Sequence, residues 1–425
     1  MNGSRKRLGV TITLESPLAL AERQPDGQSV EGLDYVPGAR LRGAAAAVLL
    51  AEGACPPAHR EANGRCRAAD CPVGALFGGP AAAVFGDCLP ADAPELLPAT
   101  AVSCQRVPGF RTQLGPERGH GVFDTLIDRA FWEILQPAGL LYTPRCPEPG
   151  CQARVVRYAG CYGRGASGGA RSYTAARVPT RVLARAGVDR RTRTTAAGRA
   201  YTVPVVADVV ADAGGGTRQM AFRGEVLVPD DANGARLADA LARVEQLGGG
   251  GSRGLGAVRV VTAEVPPPSP LAERLEVFAR AVSVRRGQYA RLAPLSAASL
   301  EGSYFSLDLR ADALLRRRGW APTTVLDADL LRAATGVADP SLTLVRAYAA
   351  PAWRGGWNAA WGLPRPTELA AARGSCYLFR TTDLAAWNAA LEALEWQGIG
   401  LRTAEGYGRV HVCDPFHLVL REQAV

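Results

Sequence analysis

The stretch "GGGGSRGLG", residues 248–256, places Gly249, Gly251 and Gly254 at the G-x-G-x-x-G spacing of a dinucleotide-binding turn. Such a turn must follow a strand and open a helix, because the pyrophosphate sits on the helix N-terminus. Here the order is reversed. Upstream, Leu237, Leu241, Val244 and Leu247 recur at helical spacing in "ANGARLADALARVEQLG". Downstream, "AVRVVTAEV" (257–265) reads as a strand. No Gly-Lys-Ser/Thr follows, so a Walker-type phosphate loop is excluded too.

The same order recurs near the end of the chain. Leu384, Trp387, Leu391 and Leu394 mark an amphipathic helix, with Thr382 or Asp383 as N-cap. "QGIGLRTAEGYGRV" (397–410) follows, and then a strand around "RVHVC". Aligning Gly254-Leu255-Gly256 with Gly406-Tyr407-Gly408 sets the copies 152 positions apart, an internal repeat. "RLGVTITLES" alternates like a strand, and "DYVPGARLRGAAAAVLLAEG" offers a Pro-Gly turn and a helix with Leu41, Val48 and Leu49 on one face. "FRGEVLVPDD" (222–231) is another strand, and the C-terminal half shows strands at "YFSLDLRADALL", "LTLVRAYAAP" and "GSCYLFR". The pattern predicts an α+β chain of two ferredoxin-like βαββαβ units. The first is 1–264, with a Cys-rich insertion over about 53–163 and a basic loop over about 164–199; "VPPPSP" (265–270) is the linker; the second is 271–425. The Ala/Leu/Arg-rich stretches 267–300 and 311–340 read as helical, packing on neighbouring subunits.

No apolar run is long enough to span a membrane, and "MNGSRKRLGVTITL" lacks a signal-peptide core, which predicts a cytoplasmic protein with reduced cysteines. The net charge is +9, yet Lys6 is the only lysine. Nine arginines (164, 171, 177, 181, 185, 190, 191, 193 and 199) lie in 164–199 against one acid, Asp189, so that segment alone carries +8. With little apolar periodicity it reads as a mobile basic loop suited to a polyanion, or as a solvated connector.

Several motifs are familiar. "YVPGARLRGA" (35–44) resembles the segment before the first helix in the RAMP superfamily of CRISPR-associated proteins, and "GGGGSRGLGAV" and "GIGLRTAEGYGRV" are similar to that superfamily's glycine-rich loops. "CPVGALFG" (71–78), "GHGVFDTLID", "RTRTTAAGRAYTV" (191–203) and "GGWNAAWGLPRP" (355–366) narrow the resemblance to the tandem-domain RAMP subunit of type III-D effector complexes. The resemblance implies a subunit that binds the 5′ repeat-derived end of a guide crRNA, meets target RNA indirectly, and touches the large polymerase-like subunit and the backbone RAMP subunits.

The residues are compatible with that role. Glycines let main chain approach phosphates, and successive N–H groups form an anion-binding concavity. Gly249, Gly250, Gly251, Ser252, Arg253 and Gly254 form one candidate RNA contact; Gly400, Arg402, Gly406, Tyr407 and Arg409 form its repeat, with Tyr407 available for stacking. The alternative is that the glycines serve close helix–sheet packing. Arg40 and Arg42 at the first helix's start, and Arg181, Arg190, Arg191 and Arg193, are further phosphate candidates.

Eight of ten cysteines fall within 55–161. Cys55, Cys66, Cys71 and Cys88 lie in Gly/Pro/Ala-rich loops that a structural zinc ion would stabilise, with His59 a substitute fourth ligand. A second set is Cys104, His120, Cys146 and Cys151, which the resemblance favours; Cys161 is a spare. Neither set has knuckle spacing, so buried free cysteine is the competing reading. Cys376 and Cys413 sit in apparent strands as core residues.

An enzymatic alternative is a RAMP endoribonuclease acting on guide precursor or target. No acid–base pair emerges from the four histidines, while Asp26 and Asp34, between first strand and first helix, occupy the interval where the resemblance implies a target-cutting aspartate. A carboxylate there is also an ordinary turn-former.

Overall fold

The computed structural model describes residues 6–23, 30–61, 66, 68, 70–79, 82–111, 118–135, 141–167, 170–211, 215–266, 268–292, 301–358 and 362–425. The chain is α+β, with antiparallel strand pairing throughout the described sheets.

In the strand Lys6–Leu14, Leu8, Val10, Ile12 and Leu14 are buried, so every second residue meets the core. It pairs on one side with Ala221–Val228 and on the other with Val258–Glu264; Val84–Phe85 and Leu89–Pro90 pair with the far edge of Ala221–Val228. Numbered along the unit, the strands therefore run fourth, first, third, second. Two helices line the buried face. Gly38–Ala51 contributes Leu41, Ala45 and Leu49, and Asp231–Ala242 contributes Leu237, Ala240 and Leu241. The second is capped by Asp230, whose Oδ1 accepts the Asn233 N–H at 2.8 Å. This helix is shorter than its apolar spacing predicts. Val244 and Leu247 lie beyond its end and still reach the core.

The second unit repeats the order. Its sheet runs Thr343–Tyr348, Cys376–Thr381, Ser303–Leu309, Val410–Val412, again second, third, first, fourth. Ala328–Thr335 and Asn388–Gln397 are its helices, and Asp383 accepts the Ala386 N–H at 3.2 Å ahead of the latter. Residues of Ser303–Leu309 beyond Ser303 are all buried, because both faces are covered. The second cover comes from the helix Leu271–Leu292, through Leu275, Phe278 and Val282, and from the helix Leu126–Leu135. Leu126, Ile127, Ala130 and Phe131 thus join the second core although they belong to the first unit's insertion. Phe131 meets Tyr304 edge-on at 5.5 Å, and Arg285 donates to Asp128.

Three sequence readings need correction. The stretch 267–300 is helical over 271–292 but packs on its own chain's core. The stretch 311–340 holds a hairpin, Leu315–Arg317 with Ala321–Thr323, before its one helix. The basic segment is not an unpatterned loop: it forms the hairpins Cys161–Ser167/Ala170–Ala175 and Thr180–Val188/Thr195–Val206. Strand alternation was invisible there because neither face of Thr180–Val188 is buried, so nothing selects apolar residues at every second position.

Candidate nucleic-acid interface and metal centres

The two glycine loops superpose residue for residue in backbone logic. Gly250 and Gly254 are left-handed and bracket a 3-10 turn Gly251–Arg253; Arg402 and Gly406 are left-handed and bracket Thr403–Glu405. Leu247 N–H donates to Gly256 at 2.9 Å, and Ile399 N–H donates to Gly408 at 2.8 Å. At Gly256 and Gly408 a Cβ would lie 2.1 and 1.8 Å from the carbonyl oxygens of Leu247 and Ile399, in left-handed backbone. These two glycines are demanded by the turn itself.

The loops differ in what they face. In the first, Gly249, Ser252, Arg253 and Gly254 are exposed, and nothing stands within 4 Å of a Cβ built on Gly249 or Gly254. Arg253 donates to the Tyr201 hydroxyl at 2.8 Å and lies over its ring at 5.5 Å. Tyr201 is on the basic hairpin, opposite Arg185. The loop and the hairpin are also joined through the first unit's connection: Gly249 N–H donates to Ala19, and Leu18 exchanges hydrogen bonds with Val206. Arg185, Arg190, Arg191 and Arg193 are exposed and have no acidic partner among the described residues; Arg181 faces Asp208 at 3.6 Å. The turn of the hairpin is closed by Asp189, which accepts the Arg191 N–H at 2.8 Å. The fold thus sets a bare main-chain turn beside a projecting cationic ribbon.

The second loop turns inward. A Cβ on Gly406 would lie 2.2 Å from the Phe85 oxygen, so this loop seats on the first unit. Arg402 is paired with Glu405 at 2.7 Å and stacked on Tyr407 at 4.7 Å. Arg409 donates to the carbonyls of Glu395 at 2.7 Å and Trp396 at 3.2 Å, and burial lowers its pKa to about 10. Gly400 sits against the Leu314 carbonyl. Around this seam the units share polar contacts. Arg373 of the second unit pairs with Asp34 and lies 3.8 Å over the Tyr35 ring. Tyr35 donates to Asp312 at 3.4 Å, which also accepts from Arg354. Asp87 accepts the Gly38 N–H at 2.9 Å, and burial raises its carboxyl to about 7. Asp34, a sequence candidate for cleavage, is therefore engaged by Arg373; Asp26 lies outside the described residues. Arg42 donates to the Phe77 carbonyl at 2.6 Å, and Arg40 is half-buried on the same helix.

Cys104, His120, Cys146 and Cys151 converge, their ligand atoms all within 4.8 Å of one another. Cys104 and Cys151 sulfurs are 3.9 Å apart, and Cys146 Sγ is 3.4 Å from His120 Nδ1. A zinc tetrahedron with Zn–S of about 2.3 Å and Zn–N of about 2.0 Å has edges of about 3.8 and 3.5 Å, so this donor set fits such an ion. Burial pushes the Cys146 thiol up to about 12; against burial, the N–H groups of Val107 and Arg106 help pull Cys104 down to about 7. The centre ties Cys104, at the end of the strand Ala101–Cys104, to the "CPEPGC" loop, whose Cys146 carbonyl accepts from Arg421 of the C-terminal tail at 3.2 Å.

Cys55, Cys66 and Cys71 form a second convergent group within 4.8 Å. Cys88 does not join it. Its backbone pairs with Val36 and its sulfur lies beside Gly224, under the sheet, where burial raises the thiol far above its ordinary value. Cys161 is likewise outside both groups. Cys376 and Cys413 are buried in the second core as expected, though Cys376 groups with Asp308 and His417. There, His417 Nε2 is 2.7 Å from Asp308 and Nδ1 is 3.1 Å from Asp124, an ion-pair cluster spanning insertion, second sheet and tail.

Sequence reasoning missed Tyr201 and the Asp34–Arg373–Tyr35 seam. A tyrosine two positions past the end of the basic run was the available signal for the first; nothing local marks the second.

No described helix is long and apolar enough to cross a membrane. No protein-family model matches the chain, and no curated protein matches it. Among solved structures, it is similar to a chain of a type III-B Cmr-beta complex bound to cognate target RNA, at 9% identity over 95% of this chain and 96% of that one, with a TM-score of 0.38. A Cas6 product complex is similar at 18% identity over 46% of this chain and 81% of that one, with a TM-score of 0.26. A chain of a type IV-B CRISPR complex is similar at 14% identity over 62% and 95%, with a TM-score of 0.28.

Proposed function

We propose that this chain is a guide-RNA-binding subunit of a CRISPR type III effector complex, of the III-D kind, built from tandem ferredoxin-like domains, 1–264 and 271–425. The strand order fourth–first–third–second in both sheets, with two helices per sheet, supports the tandem reading. One observation carries the functional part: the first glycine loop is exposed and is held by Arg253 and Tyr201 against a hairpin whose Arg185, Arg190, Arg191 and Arg193 are exposed with no acidic partner among the described residues. That surface suits a single-stranded ribose-phosphate chain, gripped by main-chain N–H groups and guanidinium forks, with no demand on base identity. Its place is at the 5′ repeat-derived handle of the crRNA, with target RNA met indirectly and the large and backbone subunits as protein neighbours. Of the two loops, the first is the RNA contact; the second, with Gly406, Tyr407 and Arg409, joins the domains. Arg40 and Arg42 are secondary contacts. We read the role as structural rather than catalytic: of the two candidate aspartates, Asp34 pairs with Arg373 and Asp26 lies outside the described residues.

The Cys/His groups could each hold a metal ion such as zinc. At the four-ligand centre zinc would act as a staple, because no position remains for water. The test is purification from the native host. Small RNAs with a constant 5′ end should accompany the protein and bind the isolated chain without being cut. Defined cleavage products, or no RNA at all, would refute the proposal.

A further inference from the structure

The group Cys55, Cys66 and Cys71 has three sulfurs and, as a zinc site, an open fourth position. Two readings compete: water, which would make the ion reactive, or a protein ligand. The surroundings decide between them. His59 closes the 3-10 turn Pro57–His59, which begins two residues after Cys55. His59 is a hydrogen-bonding neighbour of the Cys71 thiol, and its ring nitrogens are not within 4.8 Å of all three sulfurs, so ligation needs the ring to swing inward. Its Nδ1 is buried and has no hydrogen-bond partner among the described residues. A buried polar nitrogen left unsatisfied costs roughly 1–3 kcal/mol, so an orphaned imidazole nitrogen on a ring beside the Cys71 thiol marks a missing partner. The neighbouring contacts hold the loop rather than fill the site: Arg60 donates to the Cys55 carbonyl at 2.8 Å, and Cys71 opens the helix Pro72–Phe77.

We infer that His59, through Nδ1, is the fourth ligand of a second Cys3His zinc centre with Cys55, Cys66 and Cys71, and that Cys88 is not a ligand. The chain then carries two centres of the same donor composition. One pins the segment after the first helix; the other pins the insertion to the C-terminal tail. The inference does not rest on RNA binding.

Metal analysis of the full chain purified with zinc tests it. The wild type should hold about two zinc ions per chain, Cys88→Ser about two, His59→Ala and Cys104→Ser about one each. His59→Cys should restore the second ion, which separates ligand loss from misfolding. Cobalt substitution gives an independent reading: tetrahedral bands for both sites in the wild type, and a stronger thiolate charge-transfer band in His59→Cys. Two ions retained in His59→Ala, an ion lost in Cys88→Ser, or one ion only in the wild type would each overturn the assignment.

Discussion

Replacing Arg185, Arg190, Arg191 and Arg193 together by alanine isolates the cationic ribbon from the rest of the molecule. All four are exposed and lack an acidic partner among the described residues, so their loss leaves no buried charge and should move folding stability little. If each grips one phosphate, binding of single-stranded RNA releases about 0.7 counterion per contact. At about 0.15 M monovalent salt that term is about 0.8 kcal/mol per phosphate, so four contacts amount to about 3 kcal/mol, or roughly 200-fold in Kd. The slope of log K against log salt should shrink by about 2.8. Fluorescence anisotropy with a labelled single-stranded RNA, repeated from about 0.05 to 0.3 M salt, reads both quantities. A Kd within threefold of wild type at an unchanged slope would refute the assignment of this hairpin to RNA.

Other expectations follow from the same geometry. Gly256→Ala and Gly408→Ala each drive a methyl onto a carbonyl oxygen and should cost more than about 3 kcal/mol in urea unfolding, whereas Gly249→Ala, with open space around it, should cost less than about 1; equal effects would sink the distinction. Burial opposes ionisation of Glu395, but His411 and the two-pronged contact from Arg274 outweigh it and hold the pKa at about 2. The folded value lies below the unfolded one, so this pair stabilises above about pH 4.5, by about 3 kcal/mol, and the contribution fades as pH falls towards 2. Glu395→Gln should therefore flatten the acid limb of the stability profile, and an unchanged limb would contradict the assignment. For His417, burial favours the neutral ring, but Asp308 and Asp124 outweigh it and raise its pKa well above the ordinary value. Its stabilisation is full below about pH 6.5 and is lost as pH rises through the folded value, so the alkaline limb should steepen relative to His417→Gln. Arg373→Ala should loosen the seam between the units and expose the Gly406 loop to proteolysis, while a wild-type cleavage pattern would argue that the seam is held elsewhere.

Much of the architecture follows from local pattern. The alternation of Leu8, Val10, Ile12 and Leu14, the helical spacing of Leu237 and Leu241, and the 152-residue repeat of the glycine loops each report a constraint acting within a few residues, so each survives in the one-dimensional record. Cys104, His120, Cys146 and Cys151, a set that the family resemblance favoured, do converge. The failures share a cause. The basic hairpin has no buried face, so hydrogen bonding rather than hydrophobic selection makes it a ribbon. The helix Leu126–Leu135 reads as part of the insertion, yet its apolar face finds the second core.

The chain by itself thus determined the strand alternation and helix spacing that build its sheets and their cover, and the turns that need glycine at 256 and 408. Only the tertiary structure decided which glycine loop meets solvent, which meets the neighbouring unit, and that Cys88 stays apart from the other three sulfurs. Turn geometry and strand alternation depend on near neighbours, whereas the exposure of a loop depends on what packs across a seam formed by residues hundreds of positions apart, as Gly406 on Phe85 shows.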